Sequence, residues 1–159
     1  MSIPARMSQY LDQRGVDYDV WSHRPSRTSA ETARIAHIQP AQLAKSVVLE
    51  DDDGYLMAVI PSDRRVEVGR LAQLLQRRGL RLSDERMIAT RFDGCDPGTA
   101  PSLGMPWGIE TVVDDALEGT DTVFLESGDH ECLLRMTREQ FHQLMHTQRH
   151  GRFSRALAA

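Results

Sequence analysis

The chain has 159 residues, 40% of them hydrophobic and 26% charged, with two cysteines and seven prolines; that composition fits one soluble globular domain and excludes disordered and disulfide-stapled classes. Its apolar runs are short and its start, Met1-Ser2-Ile3-Pro4-Ala5-Arg6, lacks a hydrophobic signal core, so neither secretion nor a membrane span is expected and the default location is cytoplasmic. A net charge of −4 argues against a protein that grips nucleic acid by bulk electrostatics.

Ile3, Met7, Tyr10 and Leu11 recur at helical spacing and Gly15 supplies a stop, which predicts an opening amphipathic helix. A strand is expected over 16–21. Thr28 with Glu31 three places on has capping-box spacing, and Ala30, Ala33 and Ala36 give a second helix a small-residue face ending near His37. Asp51-Asp52-Asp53-Gly54 separates two apolar runs, 46–50 and 55–60; Asp-Gly provides the positive φ of a tight turn, so the segment reads as a hairpin. Val68, Leu71, Leu74 and Leu75 mark a helix closed by Gly79, and Ser83 caps another carrying Met87 and Ile88. The stretch 93–106 holds three glycines and three prolines and must be a loop. Strands are expected over 121–125 and 131–136, and Thr137 with Gln140 caps a last helix bearing Phe141, Leu144 and Met145. The domain is expected to span 1–150, with 151–159 a flexible tail.

Eighteen arginines stand against one lysine, Lys45, at the entrance to the first hairpin strand. A flexible ammonium and a planar guanidinium are not interchangeable, so the position favours an anion-binding point charge over chance survival of one lysine. Residues 61–91 carry eight arginines against four acids, a solvated face in the plain reading and a phosphate-contacting patch in the functional one. GxSxG, GxxxxGK[ST], HExxH and GxGxxG motifs do not occur. His142, His146 and His150 at four-residue spacing could share a helical face and bind a metal, though an exposed terminal helix explains them better. Cys95 in the loop could be a nucleophile only beside a histidine; a half-buried thiol is the plainer reading. Asp114-Asp115 after a strand reads as a helix cap rather than acid–base machinery. What remains is an isolated lysine, a Gly/Pro loop able to present backbone N–H groups, and His130 in a turn before a strand. These suit the binding of a phosphate, a developing oxyanion and a hydroxyl or amine, which a nucleic-acid 3′ end carrying an ester offers together.

Three features in order resemble the YbaK and prolyl-tRNA synthetase-associated editing domains, from about residue 16 to 145: Ala44-Lys45-Ser46-Val47-Val48, then Gly94 to Gly104 with its Gly98-Thr99-Ala100-Pro101-Ser102 core, then Gly128-Asp129-His130 entering 131–136. The resemblance implies an α+β domain with a mixed, largely antiparallel, barrel-like sheet surrounded by helices. It implies a trans-editing deacylase that hydrolyses the ester of a mischarged tRNA, most simply tRNA for proline carrying alanine or cysteine. A catalytically inactive relative that binds tRNA or a synthetase is the alternative. In the implied site Lys45 contacts the acceptor-end phosphates, the backbone at Gly98 approaches the ester, and His130 positions the amino acid. Ser46, Thr99, Ala100, Pro101 and Ser102 would complete the substrate wall. No cofactor or metal is implied; the partners are aminoacyl-tRNA and prolyl-tRNA synthetase. One departure stands out: the family's GxxxP proline falls on Ser102, with Pro101 one place early.

Overall fold

The computed structural model describes residues 3–84, 91–96 and 99–157. The first helix, α1 (Ala5–Gln13), buries Met7 and Leu11. Gly15 at φ +65° closes it, and the Val16 N–H returns to the Leu11 carbonyl at 3.1 Å. That bond belongs to a helix end, not to a ladder. The strand expected from residue 16 therefore begins later, as β1 (Asp19–Ser22), while Val16 is buried in the core.

Thr28 caps α2 (Ser29–Ile35) by accepting from the Glu31 N–H. The hairpin forms as read, β2 (Leu43–Asp51) against β3 (Gly54–Pro61), with Asp51 Oδ1 accepting from the N–H groups of Asp53 and Gly54. After β4 (Arg64–Val66) comes α3 (Val68–Leu75), closed not by Gly79 but by Gln76 in the left-handed conformation at φ +54°. The next residue, Arg77, turns back to grip Asp51 with two 2.6 Å hydrogen bonds. This pairing lowers the Asp51 carboxyl to about 2 and ties the helix end to the hairpin turn. β5 (Arg81–Leu82) follows; the helix expected after Ser83, with Met87 and Ile88, lies outside the described residues.

The second half contributes β6 (Glu110–Asp114), β7 (Thr122–Glu126), β8 (Cys132–Thr137) and α4 (Arg138–Met145), the last opened by a complete Thr137/Gln140 capping box. Asp114 does cap, as its position suggested: its Oδ1 accepts from Ala116 N–H at the head of a 3-10 turn, Asp115–Gly119. Within the segment read as a flexible tail, residues 151–156 are instead held by strand pairing and packing. β9 (Arg149–Gly151) pairs with β6, β10 (Ser154–Ala156) pairs with β4, and Phe153 between them is fully buried. Burying a phenylalanine side chain is worth roughly 1.5–3 kcal/mol, and Phe153 N–H donates to Asp114 Oδ2 while its carbonyl accepts from Glu67 N–H.

The main sheet runs β1-β8-β7-β2-β3-β6-β9, with β5 also on β2. It is mixed: β1/β8, β7/β8, β2/β3 and β2/β5 are antiparallel, β2/β7, β3/β6 and β6/β9 parallel. The barrel-like sheet implied by resemblance is, among the described residues, a path from β1 to β9. Alternation along β3 builds the core on both faces. Met57 and Val59 join Phe141 and Leu144 of α4, whereas Leu56, Ala58 and Ile60 pack with Leu71 of α3 and Phe153.

One detail of this topology makes the site. The parallel pairing of β2 with β7 covers only Leu43↔Phe124 and Ala44↔Leu125. On the same edge, β5 does not meet β2 until Leu49↔Leu82. Between Ala44 and Leu49, therefore, no strand pairs with this edge of β2 among the described residues.

Candidate functional site

A cavity of about 440 Å³ opens where β2 and β7 part, a volume in the range of small-ligand sites. Ser46 lines it from β2, Glu126 from the end of β7, Asp129 and His130 from the turn before β8, Thr99 and Ala100 from the loop, and residues 23–32 roof it. The roof is held by continuation of the β1/β8 ladder, through His23 N–H to the Glu131 carbonyl and Ser26 N–H to the His130 carbonyl.

The turn 126–130 is stitched to the loop from several sides. Asp129 Oδ1 accepts from the N–H groups of Glu131 and Cys132 at 2.8 and 2.6 Å. Thr99 Oγ1 lies 2.6 Å from the Asp96 carbonyl and 2.7 Å from that of Gly128, and Asp96 N–H donates to Gly128 O. Gly128, at φ +100°, packs so tightly on Cys95 that a Cβ there would overlap the sulfur. Asp129 Oδ2 is buried without a hydrogen-bond partner among the described residues, an acceptor whose desolvation costs about 1–3 kcal/mol until something donates to it.

Electrostatics single out Glu126. Burial pushes its carboxyl up to about 7, against the restraining hydrogen bond from Ser29 Oγ at 3.1 Å and the charges of Lys45 and His130. At neutral pH such a group exchanges a proton readily. His130 is half-buried and its Nδ1 sits 2.7 Å from the Ser26 carbonyl. A carbonyl only accepts, so Nδ1 carries the hydrogen in this bond.

The residues singled out from sequence fall in different places. Ser46, Thr99, Ala100 and His130 line the cavity. Lys45 follows directly on the β2/β7 pairing and points to the other face of the strand, into a groove with Arg65 and Arg155; its charge still reaches Glu126. Burial lowers its ammonium pKa, opposed by Asp63 and Glu126. Gly98 lies outside the described residues, and Pro101 is buried. Ser102, expected as a substrate contact, is fully buried and has another role. Its N–H donates to the Glu126 carbonyl, its Oγ donates to the Ala44 carbonyl at 2.8 Å and accepts from Glu126 N–H at 2.8 Å. It fills the fork between β2 and β7, and a proline there could make none of these bonds.

Burial, reinforced by Asp96, Asp129 and Asp93, pushes the Cys95 thiol up to about 12, which disfavours the thiolate that a nucleophile needs. The three histidines do not share one helical face, because α4 ends at Met145 and His150 lies in β9. His142 and His150 instead sit 2.9 Å from Glu118 and Asp115. Glu126 and Asp129 are the residues that sequence reading missed. The available signal was a glutamate ending an otherwise apolar strand, Thr122–Glu126.

Comparison with known proteins agrees with this geometry. The sequence model of the aminoacyl-tRNA editing domain matches residues 23–144. The chain is 26% identical over 88 residues to the proline–tRNA ligase of Bacillus velezensis, a match covering 55% of this chain and 15% of the ligase. Among solved structures, a hypothetical protein superposes with a TM-score of 0.82 at 22% identity, covering 94% of this chain and 99% of its own. A proposed trans-editing enzyme for prolyl-tRNA synthetase superposes at 0.79 with 21% identity, covering 95% and 96%. At these identities the two structures share the fold.

Proposed function

The chain belongs to the aminoacyl-tRNA editing domain family, and on that premise we propose that it hydrolyses the ester joining a small non-cognate amino acid to the 3′ end of tRNA for proline. The observation that carries this reading is the cavity at the β2/β7 fork. It combines Glu126, Asp129 and His130 in one enclosure, with Lys45 on the opposite face of β2 and its charge within reach of Glu126. In the reaction, water adds to the ester carbonyl carbon and the carbon–oxygen bond to the ribose breaks. The amino acid leaves as carboxylate and the ribose oxygen takes a proton.

The ester is already activated, so positioning and charge stabilisation suffice. Glu126 is the protein group suited to take up the proton from water, alongside the substrate's own ribose hydroxyl. The buried Asp129 Oδ2 accepts from the α-ammonium of the aminoacyl group, and His130, in the same lining, orients the amino acid. Lys45 binds a terminal phosphate. Selection follows cavity size: walls exclude large side chains outright, whereas one methylene discriminates by only about 1–3 kcal/mol, which favours alanine over bulkier residues.

The test is a panel of tRNAs for proline charged with alanine, cysteine, serine or proline, incubated with the protein and with Lys45→Ala. Loss of a mischarged ester, absent with the variant and with proline, is the expected result. Intact esters throughout would overturn the assignment in favour of an inactive tRNA- or synthetase-binding relative.

A further inference from the structure

The face of β2 turned away from the cavity carries a second feature that the chemistry does not use. β4 and β10 form a separate two-stranded ladder in which Arg65 stands directly opposite Arg155. Both side chains are exposed, and neither has an ion pair or side-chain hydrogen bond among the described residues. Like charges directly opposite on a ladder destabilise it, so the pair is retained at a cost to folding. Lys45 and the apolar side chains of Val47 and the 62%-exposed Leu82 line the same groove. The acid within it, Glu67, lies 3.8 Å from Arg70. Asp63 lies within electrostatic reach of Lys45. Three cations thus converge on one groove, on the face of β2 opposite the cavity, in a chain whose net charge is −4.

We propose that this groove is the track for the sugar-phosphate backbone of the acceptor strand. Arg65 and Arg155 would straddle phosphates one step further from the ester than the phosphate on Lys45. The inference rests on the proposed function for the identity of its ligand, tRNA, and extends it to a surface outside the catalytic cavity. A polyanion relieves the repulsion between the two arginines, and the guanidinium fork suits phosphate oxygens. The aliphatic walls at Val47 and Leu82 suit ribose edges.

The test uses Arg65→Ala/Arg155→Ala and the charge-keeping Arg65→Lys/Arg155→Lys in the full chain, with melting curves to verify folding. Binding of uncharged tRNA is followed by fluorescence anisotropy across a salt series. Removal of two phosphate contacts should reduce the slope of log K against log salt by roughly 2 and weaken binding about tenfold at low salt, while the lysine pair keeps most of the affinity. Hydrolysis of adenosine 5′-monophosphate aminoacylated on its 3′ oxygen, whose one phosphate reaches no further than Lys45, should be unchanged in the alanine pair. Unaltered affinity and slope in the folded alanine pair would overturn the proposal, as would equal losses on tRNA and the aminoacylated mononucleotide. Because the binding arm uses uncharged tRNA, inactivity of the wild-type protein on every ester would count against the proposed function and leave the groove measurement intact.

Discussion

The cavity and the groove share one wall, β2, and differ in nearly every other respect. Ser46 faces the cavity, and its neighbours Lys45 and Val47 face the groove, because successive side chains of a strand point to opposite sides. In the cavity most polar atoms already have partners: Ser26 with Thr32, Ser29 with Glu126, Thr99 with two carbonyls, and Asp129 Oδ1 with two amides. In the groove Arg65 of β4 and Arg155 of β10 have none among the described residues. A wall of fixed polar atoms discriminates by shape and by unmet hydrogen bonds, which small amino acids demand. An exposed pair of guanidiniums supplies salt-dependent affinity indifferent to detail, which a nucleic-acid backbone needs. On the proposed reading the two sites divide recognition between them, and they meet at the stretch of β2 between Ala44 and Leu49 that, among the described residues, no strand pairs with on this edge.

Lys45 is the residue that belongs to both regions, so its removal is the sharpest way to break the comparison. Lys45→Ala should lower kcat/KM on mischarged tRNA by roughly 100-fold or more, as loss of a positioned charge-stabilising donor does elsewhere. Lys45→Arg should recover little, since the guanidinium cannot replace a compact ammonium; recovery to near wild-type would place Lys45 in the groove alone. Next in size is Gly128→Ala. Its Cβ would overlap Cys95 Sγ at a backbone of φ +100°, for a cost of about 2–4 kcal/mol and a fall in Tm of roughly 5–15 °C. Cys95→Ala in the same chain should restore part of the loss, leaving the backbone strain; full additivity of the two changes would show that the contact does not set the loop.

Glu126 separates the regions by pH. Its carboxyl, near 4.5 when unfolded, is held up at about 7 in the fold, so the folded state binds the proton more tightly. The burial of Glu126 is then harmless below pH 4.5 and increasingly destabilising as pH rises towards 7. Glu126→Gln should match wild-type stability at pH 4.5 and exceed it at pH 8, by at most about 3 kcal/mol. The same variant should flatten the pH dependence of deacylation near neutrality while leaving the salt slope of tRNA binding untouched. A stability gain that does not grow with pH would show that the carboxyl is not held protonated.

How much of this was legible in the sequence depends on the range of the interactions involved. The Asp51–Gly54 turn and the Thr28 and Thr137 caps are written in neighbouring residues and formed as read. Lys45 stood out by being the single lysine among arginines. Glu126 and Asp129 did not, because their chemistry depends on the short parallel pairing of β2 with β7, made by segments far apart in the chain. The Arg65/Arg155 pair was hidden for the same reason. Its second strand reads in the sequence as a loose tail, since Phe153 is one apolar residue in a polar stretch and nothing local announces that it fills a core position.

Ser102 gives the smallest expected effect and the finest discrimination. Its three hydrogen bonds join Ala44 of β2 to Glu126 of β7 at the point where the strands part. Ser102→Ala keeps the N–H bond and the volume, but leaves the Ala44 carbonyl and the Glu126 N–H without the hydroxyl, at a cost of about 1–3 kcal/mol. The loosened fork shifts Glu126 in the cavity without touching β4 or β10. Deacylation of both tRNA and the aminoacylated mononucleotide should therefore fall several-fold together, while the affinity for uncharged tRNA and its salt slope hold. A loss confined to tRNA affinity would mean that the fork shapes the groove instead, and that the two faces of β2 are coupled rather than divided.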